Sequence, residues 1–249
     1  MRRLVLALLV LLAPVASAVA AEVDLLDQVV AVIGPGGREG RRTLLTRSDL
    51  ELEARVLLVS RGARAAAEGA LPDDTLAAAL DWLVAEHLLL AEAEQLDVAS
   101  VDPAALEREL ARLRDAFGSP AAYAAFLRDH ELGEADLARI ARRRLVVDGY
   151  VGSRLRLGMS ISEGEVRRAY ESRKQEFENT SYDWVRPRLR AQLEREKREA
   201  LVGALVADLR SRAEVRVLVH LGDAPAQPEA KKRPWYLPAE GTDPQETAR

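Results

Sequence analysis

The sequence has no cysteine. That excludes a disulfide framework, a thiol nucleophile and a thiolate zinc site. Aromatic residues make up only 4% of the chain, too few for a platform on which single-stranded bases stack. Neither sign of charge dominates. The 36 basic and 40 acidic residues are interleaved and leave a net charge of -4, so no basic footprint for nucleic acid is present. There are three histidines, His87, His130 and His220. They fall in unrelated segments, and no H-x-x-x-H pair sets two of them on one helical face. The nucleophile elbow, the P-loop and the dinucleotide fingerprint are missing from the sequence. After the first residues, no apolar run approaches the roughly 20 residues that a membrane span needs. A binding protein is expected, with no catalytic residue, metal ligand or cofactor.

What the chain does have is helix. From Asp74 to Leu157 the pattern reads as consecutive helices. The first runs from about Asp74 to Leu96, with Leu76, Leu80, Leu83, Val84, Leu88 and Ala91 at three- and four-residue steps. Asp73-Asp74 at its start is explained by capping and the helix dipole. Asp102 caps the next helix and Pro103 has no amide to leave unpaired at its first position. Its stripe is Leu106, Leu110, Leu113 and Phe117, with Gly118 as the stop. Ser119-Pro120 repeats the start signal for a short helix carrying Tyr123, Phe126 and Leu127. A third long helix follows Gly133 and runs through Leu137, Ile140, Leu145, Val147, Tyr150, Val151 and Leu155. Such stripes must be buried against one another, because helix propensity alone is marginal.

The flanking segments are shorter signals. Residues 1–21 read as a secretory signal: Arg2 and Arg3, the apolar run Leu4–Leu12, Pro14, and Ala18-Val19-Ala20 as a cleavage site near Ala20. Export and a mature form with no stable membrane span are expected from it. Val29–Ile33 is a β-prone run, followed by the loop "GPGGREG" and by Thr43-Leu44-Leu45. A hairpin with a long turn fits these residues, and the loop lacks the Lys-Ser/Thr ending of a phosphate cradle. Ser48 and Glu51 form an S-x-x-E capping box, opening a helix with Leu50, Leu52, Val56, Leu57 and Val59. Ser162 and Glu165 form a second box for a helix carrying Val166, Tyr170 and Phe177. Glu178–Asp183 is polar and loop-like. A last helix is expected from near Pro187 to about Arg212, its surface dense in Arg and Glu. Then comes "VRVLV", Val215–Val219, a strand too short to stand alone. Pairing with the Val29–Ile33 region is expected, which clasps the two ends of the fold. Residues 223–249, with Trp235 and Tyr236 between charges, read as a disordered tail.

This order of pieces resembles the N-terminal peptide-binding domain of the SurA family of periplasmic chaperones. The stretches that carry the likeness are "DQVVAVIG…TLLTRSDLELEARVLL", "LPDDTLAAALDWLVAEHLLLAEAEQLDVAS", "VDPAALERELARLRDAFG", the Phe126-bearing helix, and "ISEGEVRRAYESRKQEF". They cover about Asp27–Phe177, and the likeness resumes at Pro187–Val219. One departure is large. The family usually carries parvulin-type isomerase domains before the final helix, and here only Glu178–Trp184 lies in that place.

The resemblance implies a mainly α fold: a multi-helix module over residues 22–222, with a small N-terminal hairpin clasped by the helix and strand of 187–219. It further implies an ATP-independent periplasmic holdase for unfolded envelope proteins, outer-membrane protein precursors in particular, without isomerase activity. Trp82, Tyr123, Phe126, Tyr150, Tyr170 and Phe177 are the expected peptide contacts, with Trp82 foremost because it falls beside the Leu80–Leu83–Leu88 stripe. The alternative is an adaptor for one fixed envelope partner. An active prolyl isomerase is disfavoured by the missing domain.

Overall fold

The computed structural model describes residues 27–36, 41–177 and 180–221. The segment read as a secretory signal, part of the "GPGGREG" loop, Glu178, Asn179 and the C-terminal segment read as a disordered tail lie outside the described residues. What is described is mainly helical, with one small antiparallel sheet.

Strand β1 (Val29–Pro35) turns back into β2 (Thr43–Thr46), as the β-prone runs predict. Helix α1 (Arg47–Ser60) follows without a gap. The start of α1 corrects the expected capping box. Because β2 runs to Thr46, the extended cap residue is Thr46 and Ser48 already lies in the first turn. Thr46 Oγ1 accepts from the Asp49 amide at 3.2 Å, and the Asp49 carboxylate accepts from the Thr46 amide at 3.3 Å. The Ser48 hydroxyl donates instead to Asp27, and Glu51 pairs with Arg47 at 2.7 Å. The same logic, shifted by two residues, satisfies the free amides of Thr46 and Asp49.

A five-residue helix that the sequence pattern did not mark, α2 (Arg64–Glu68), sits between Gly62 and Gly69. Then come α3 (Asp73–Gln95), α4 (Pro103–Ala116), α5 (Pro120–Asp129) and α6 (Glu134–Leu155). Helix α3 corrects the expected capping by Asp73-Asp74: its cap residue is Pro72, no side chain caps it, and the two aspartates lie in the first turn. The starts of α4, α5 and α6 are capped. Asp102 accepts from the Ala104 amide at 3.0 Å, Ser119 accepts from the Ala122 amide at 3.1 Å, and Asp136 reaches back to the Gly133 amide at 3.0 Å. Helix α7 (Glu163–Ser172) opens on the Ser162–Glu165 box as read. It stops before Phe177, which lies in a 3-10 turn, Lys174–Phe177.

Helix α8 (Tyr182–Arg212) has 31 residues and begins a full turn before Pro187, which corrects two expectations. Tyr182 and Asp183 are helical, not loop. Pro187 stands inside the helix, early enough that its missing amide forfeits one bond near the N-terminus. At its far end α8 runs straight into β3 (Ala213–Val217).

The expected clasp is present, but its strand is Ala213–Val217 and not Val215–Val219. The sheet order is β2-β1-β3, and β3 pairs antiparallel with β1 in the register Ala31↔Val217 through Pro35↔Ala213. Chain ends that are far apart in sequence thus meet in the central strand.

Three apolar clusters fill the structure. The largest joins the sheet (Val30, Ala31, Ile33, Leu45) to α1, α3, the second half of α6 and the end of α8. A second gathers Val56, Val59 and Ala67 with α4, Phe117, Tyr123 and the first half of α6. The third is Val166 and Tyr170 of α7 against Val185 and Leu189 of α8. Helix α8 spans about 46 Å, so its start belongs to the third cluster and its end to the first. The α7–α8 pair is further tied by Arg190, which donates to the Ile161 carbonyl and to Glu163, each at 2.6 Å.

Candidate functional site

The six aromatic residues singled out in the sequence divide among these clusters. Trp82 is 3% exposed and lies in the first cluster, with the Arg144 guanidinium 5.0 Å from its ring centroid. Its place beside the leucine stripe therefore faces α6 and not solvent, which corrects its expected exposure. Tyr150 is buried in the same cluster, and burial raises its hydroxyl above the ordinary tyrosine range. Tyr123 is buried in the second cluster, edge-on to Phe117 at 5.4 Å between ring centroids. Tyr170 is buried in the third, stacked on Phe177 at 5.6 Å, and its hydroxyl donates to the Thr180 carbonyl at 2.7 Å. Of the six, Phe126 and Phe177 alone are half-buried. One continuous aromatic cradle does not form.

Phe126 borders a cleft of about 810 Å³ between α2 and α5. Its lining is apolar at Val59, Ala65, Ala67, Phe117, Ala122, Ala125 and Phe126, and charged at its margins with Arg64, Glu68 and Asp129. The sequence makes this space with small residues. Helix α2 is "RAAAE" and α5 begins "PAAYAAF", so alanine occurs where larger side chains would close the gap. The three rings at one side form a ladder: Phe117 to Phe126 at 4.8 Å and Phe126 to His130 at 4.7 Å. Burial, followed by the positive charge of Arg55, holds His130 below the usual histidine range, which favours the neutral ring beside an apolar floor.

Two arginines fix the walls. Arg55 of α1 donates to the Ala67 and Gly69 carbonyls at 2.6 and 2.8 Å, closing the end of α2. Arg64 of α2 donates to the Phe117 carbonyl at 2.8 Å. That bond needs Gly118. Its φ is +78°, and a Cβ there would stand 1.9 Å from the Arg64 guanidinium. Any other residue would be strained in the backbone and would push the arginine off the wall.

A second feature, which the sequence reading missed, is a buried ionic cluster. Glu53 of α1, Glu86 of α3 and Arg143 of α6 are each under 9% exposed, and Arg144 lies beside them. Arg143 donates to Glu53 and approaches Glu86 at 3.4 Å, while Arg144 lies 3.7 Å from Glu53. Burial pushes the Glu86 carboxyl up to about 7, against the pull of Arg143 and Arg144. The cluster cross-ties three helices and belongs to the framework. Its sequence signal was a glutamate inside the apolar run "WLVAEHLLL", too short a cue without a partner in sight.

His87 lines a separate cleft of about 430 Å³ between the hairpin and α3. Burial, then Arg143, lowers it to about 4. Exposed apolar side chains stand elsewhere: Trp184 is 83% exposed and Leu157 95%. Among the described residues no helix is long and apolar enough to cross a membrane. The chain matches no family model and no curated protein.

Proposed function

We propose that this chain is an ATP-independent holdase of the SurA type, lacking an isomerase domain, that shields unfolded envelope proteins in the periplasm. Its clients are extended polypeptides, with outer-membrane barrel precursors foremost. The observation that carries the reading is the α2–α5 groove: apolar along its floor, walled by alanine, edged by Phe126 and by charges of both signs. Small walls admit side chains of varied size, and charged margins keep the groove hydrated when it is empty. A client segment that buries roughly 300 Å² of apolar surface gains about 7 kcal/mol before ordering costs. Ordering the segment removes much of that gain, leaving the weak, reversible hold that release without nucleotide requires. The order of hairpin, helices and clasping strand is the second support, since it is the order that the sequence resemblance implies.

The reading is tested by diluting a urea-denatured barrel protein into buffer and following light scattering with and without the chain. Suppression near equal molar ratios is expected, and Ala122→Glu should weaken it. No suppression by a chain folded by circular dichroism would refute the holdase. A second reading, an adaptor for one fixed partner, draws on Trp184, whose 83% exposure at the start of α8 suits a docking anchor. Capture of a single envelope protein, lost in Trp184→Ala and insensitive to Ala122→Glu, would favour it.

A further inference from the structure

Strand β3 ends the sheet. Among the described residues, no other strand pairs with its outer side. The register with β1 settles which groups face outward. Leu218 donates its amide to the Val30 carbonyl at 2.9 Å. In the antiparallel alternation, Glu214, Arg216 and Leu218 therefore turn their backbone groups toward β1, and Val215 and Val217 turn theirs away. The Ala213 amide donates to the Arg210 carbonyl, so only its carbonyl points outward. Such an edge invites another strand.

The order of side chains along it is self-complementary. Glu214 and Arg216 are two residues apart and so share one face of the sheet. Between them stands Val215. We infer that β3 pairs with β3 of a second copy of this chain, antiparallel, about a two-fold axis through Val215. In that register Glu214 lies opposite the partner's Arg216, and Arg216 opposite the partner's Glu214. Val217 lies opposite the partner's Ala213. Of the outward backbone groups all but the Val217 carbonyl are used: Val215 exchanges two bonds with the partner's Val215, and each Val217 amide donates to the other copy's Ala213 carbonyl. The charged residues occupy the non-hydrogen-bonded positions, where side chains across the ladder come closest, and opposite charges there stabilise the pair.

No charge loses its partner on association. In the single chain Glu214 is held by Arg216 at 2.6 Å and by Arg42 at 3.3 Å. Pairing moves the Arg216 contact across the ladder and leaves Arg42 in place. Val217 and Leu218, 51% and 55% exposed, stand at the same edge and become partly covered. An axis moved to Val217 would set Arg216 opposite Leu218 and forfeit both charge pairs, so the register is specified. The result is a six-stranded sheet with an isologous interface. One strand pair buries little surface, so the dimer is weak and depends on concentration.

Sedimentation velocity of the full chain over a concentration series tests this. The wild type should pass from monomer to dimer. Arg216→Glu faces like charges across the axis and should weaken dimerisation roughly tenfold, and the double change Glu214→Arg with Arg216→Glu should restore it. Val215→Pro removes the central amides without touching the bonds to β1, and should give a folded monomer. The chain has no cysteine, so oxidised Val215→Cys reports the register by a covalent dimer, which Glu214→Cys should not give. A wild type that stays monomeric throughout would overturn the inference, as would Arg216→Glu matching wild type or the double change failing to restore. A monomer that instead binds an extended peptide at this edge would also overturn it, since the edge would then serve another chain.

Discussion

Replacing Glu86 by glutamine should change how stability depends on pH, by an amount that follows from its burial. Glu86 is fully buried, and its carboxyl moves from 4.5 to about 7. The folded chain thus binds this proton more tightly than the unfolded chain. The resulting stabilisation is fully present below pH 4.5 and is lost as pH rises through 7. Between about pH 5.5 and about pH 8 that loss is about 2 kcal/mol. His87 works the other way. Lowered to about 4, it contributes stability that is present above 6.5 and is lost as pH falls through 4. Over this window the two largely offset each other in the wild type. The difference between Glu86→Gln and wild type isolates the carboxyl. Urea unfolding at the two pH values should show the variant gaining about 2 kcal/mol on the wild type from the lower to the higher. A difference that does not change with pH would refute the reasoning. It would mean that Arg143 and Arg144 hold Glu86 ionised throughout.

Three other outcomes follow from the packing. Arg143→Met removes the guanidinium shared by Glu53 and Glu86, leaves Glu53 with Arg144 at 3.7 Å, and should cost about 3 kcal/mol, read from thermal or urea unfolding. Deletion of Val215–Val219 uncovers β1 and should lower the melting temperature by several degrees; an unchanged melting curve would mean the clasp carries no stability. Gly118→Ala should destabilise through its positive φ and the displaced Arg64, by about 1 kcal/mol or more, and should weaken client binding with it.

The helices were legible because their start signals are local: Asp102-Pro103, Ser119-Pro120 and Ser162–Glu165 each act within one turn. The pairing of β1 with β3 was legible by elimination, since a five-residue strand needs a partner and few were on offer. Helix α2 was not legible, because five residues between two glycines carry no period. Its alanine run was the available cue. The true start of α8 was hidden by Pro187, which usually marks a first position. The site was the least readable part. Trp82 lies off the leucine stripe, but α6 covers the adjoining face as well, and only tertiary packing decides that. The same holds for Glu86, whose partners are 33 positions before it and 57 after it. Phe126 was within reach, because a phenylalanine next to small residues on a short helix has little to bury it.

The central claim is that unfolded clients lie in the groove between α2 and α5. A photo-crosslinking side chain at Ala125, in the groove, and another at Arg108, on the exposed face of α4, test it most directly. With a urea-denatured barrel protein added, crosslinks are expected at Ala125 and none at Arg108. None are expected at either position once the barrel is folded. Equal yields at the two positions, or none at Ala125 while aggregation is still suppressed, would contradict the groove as the client site.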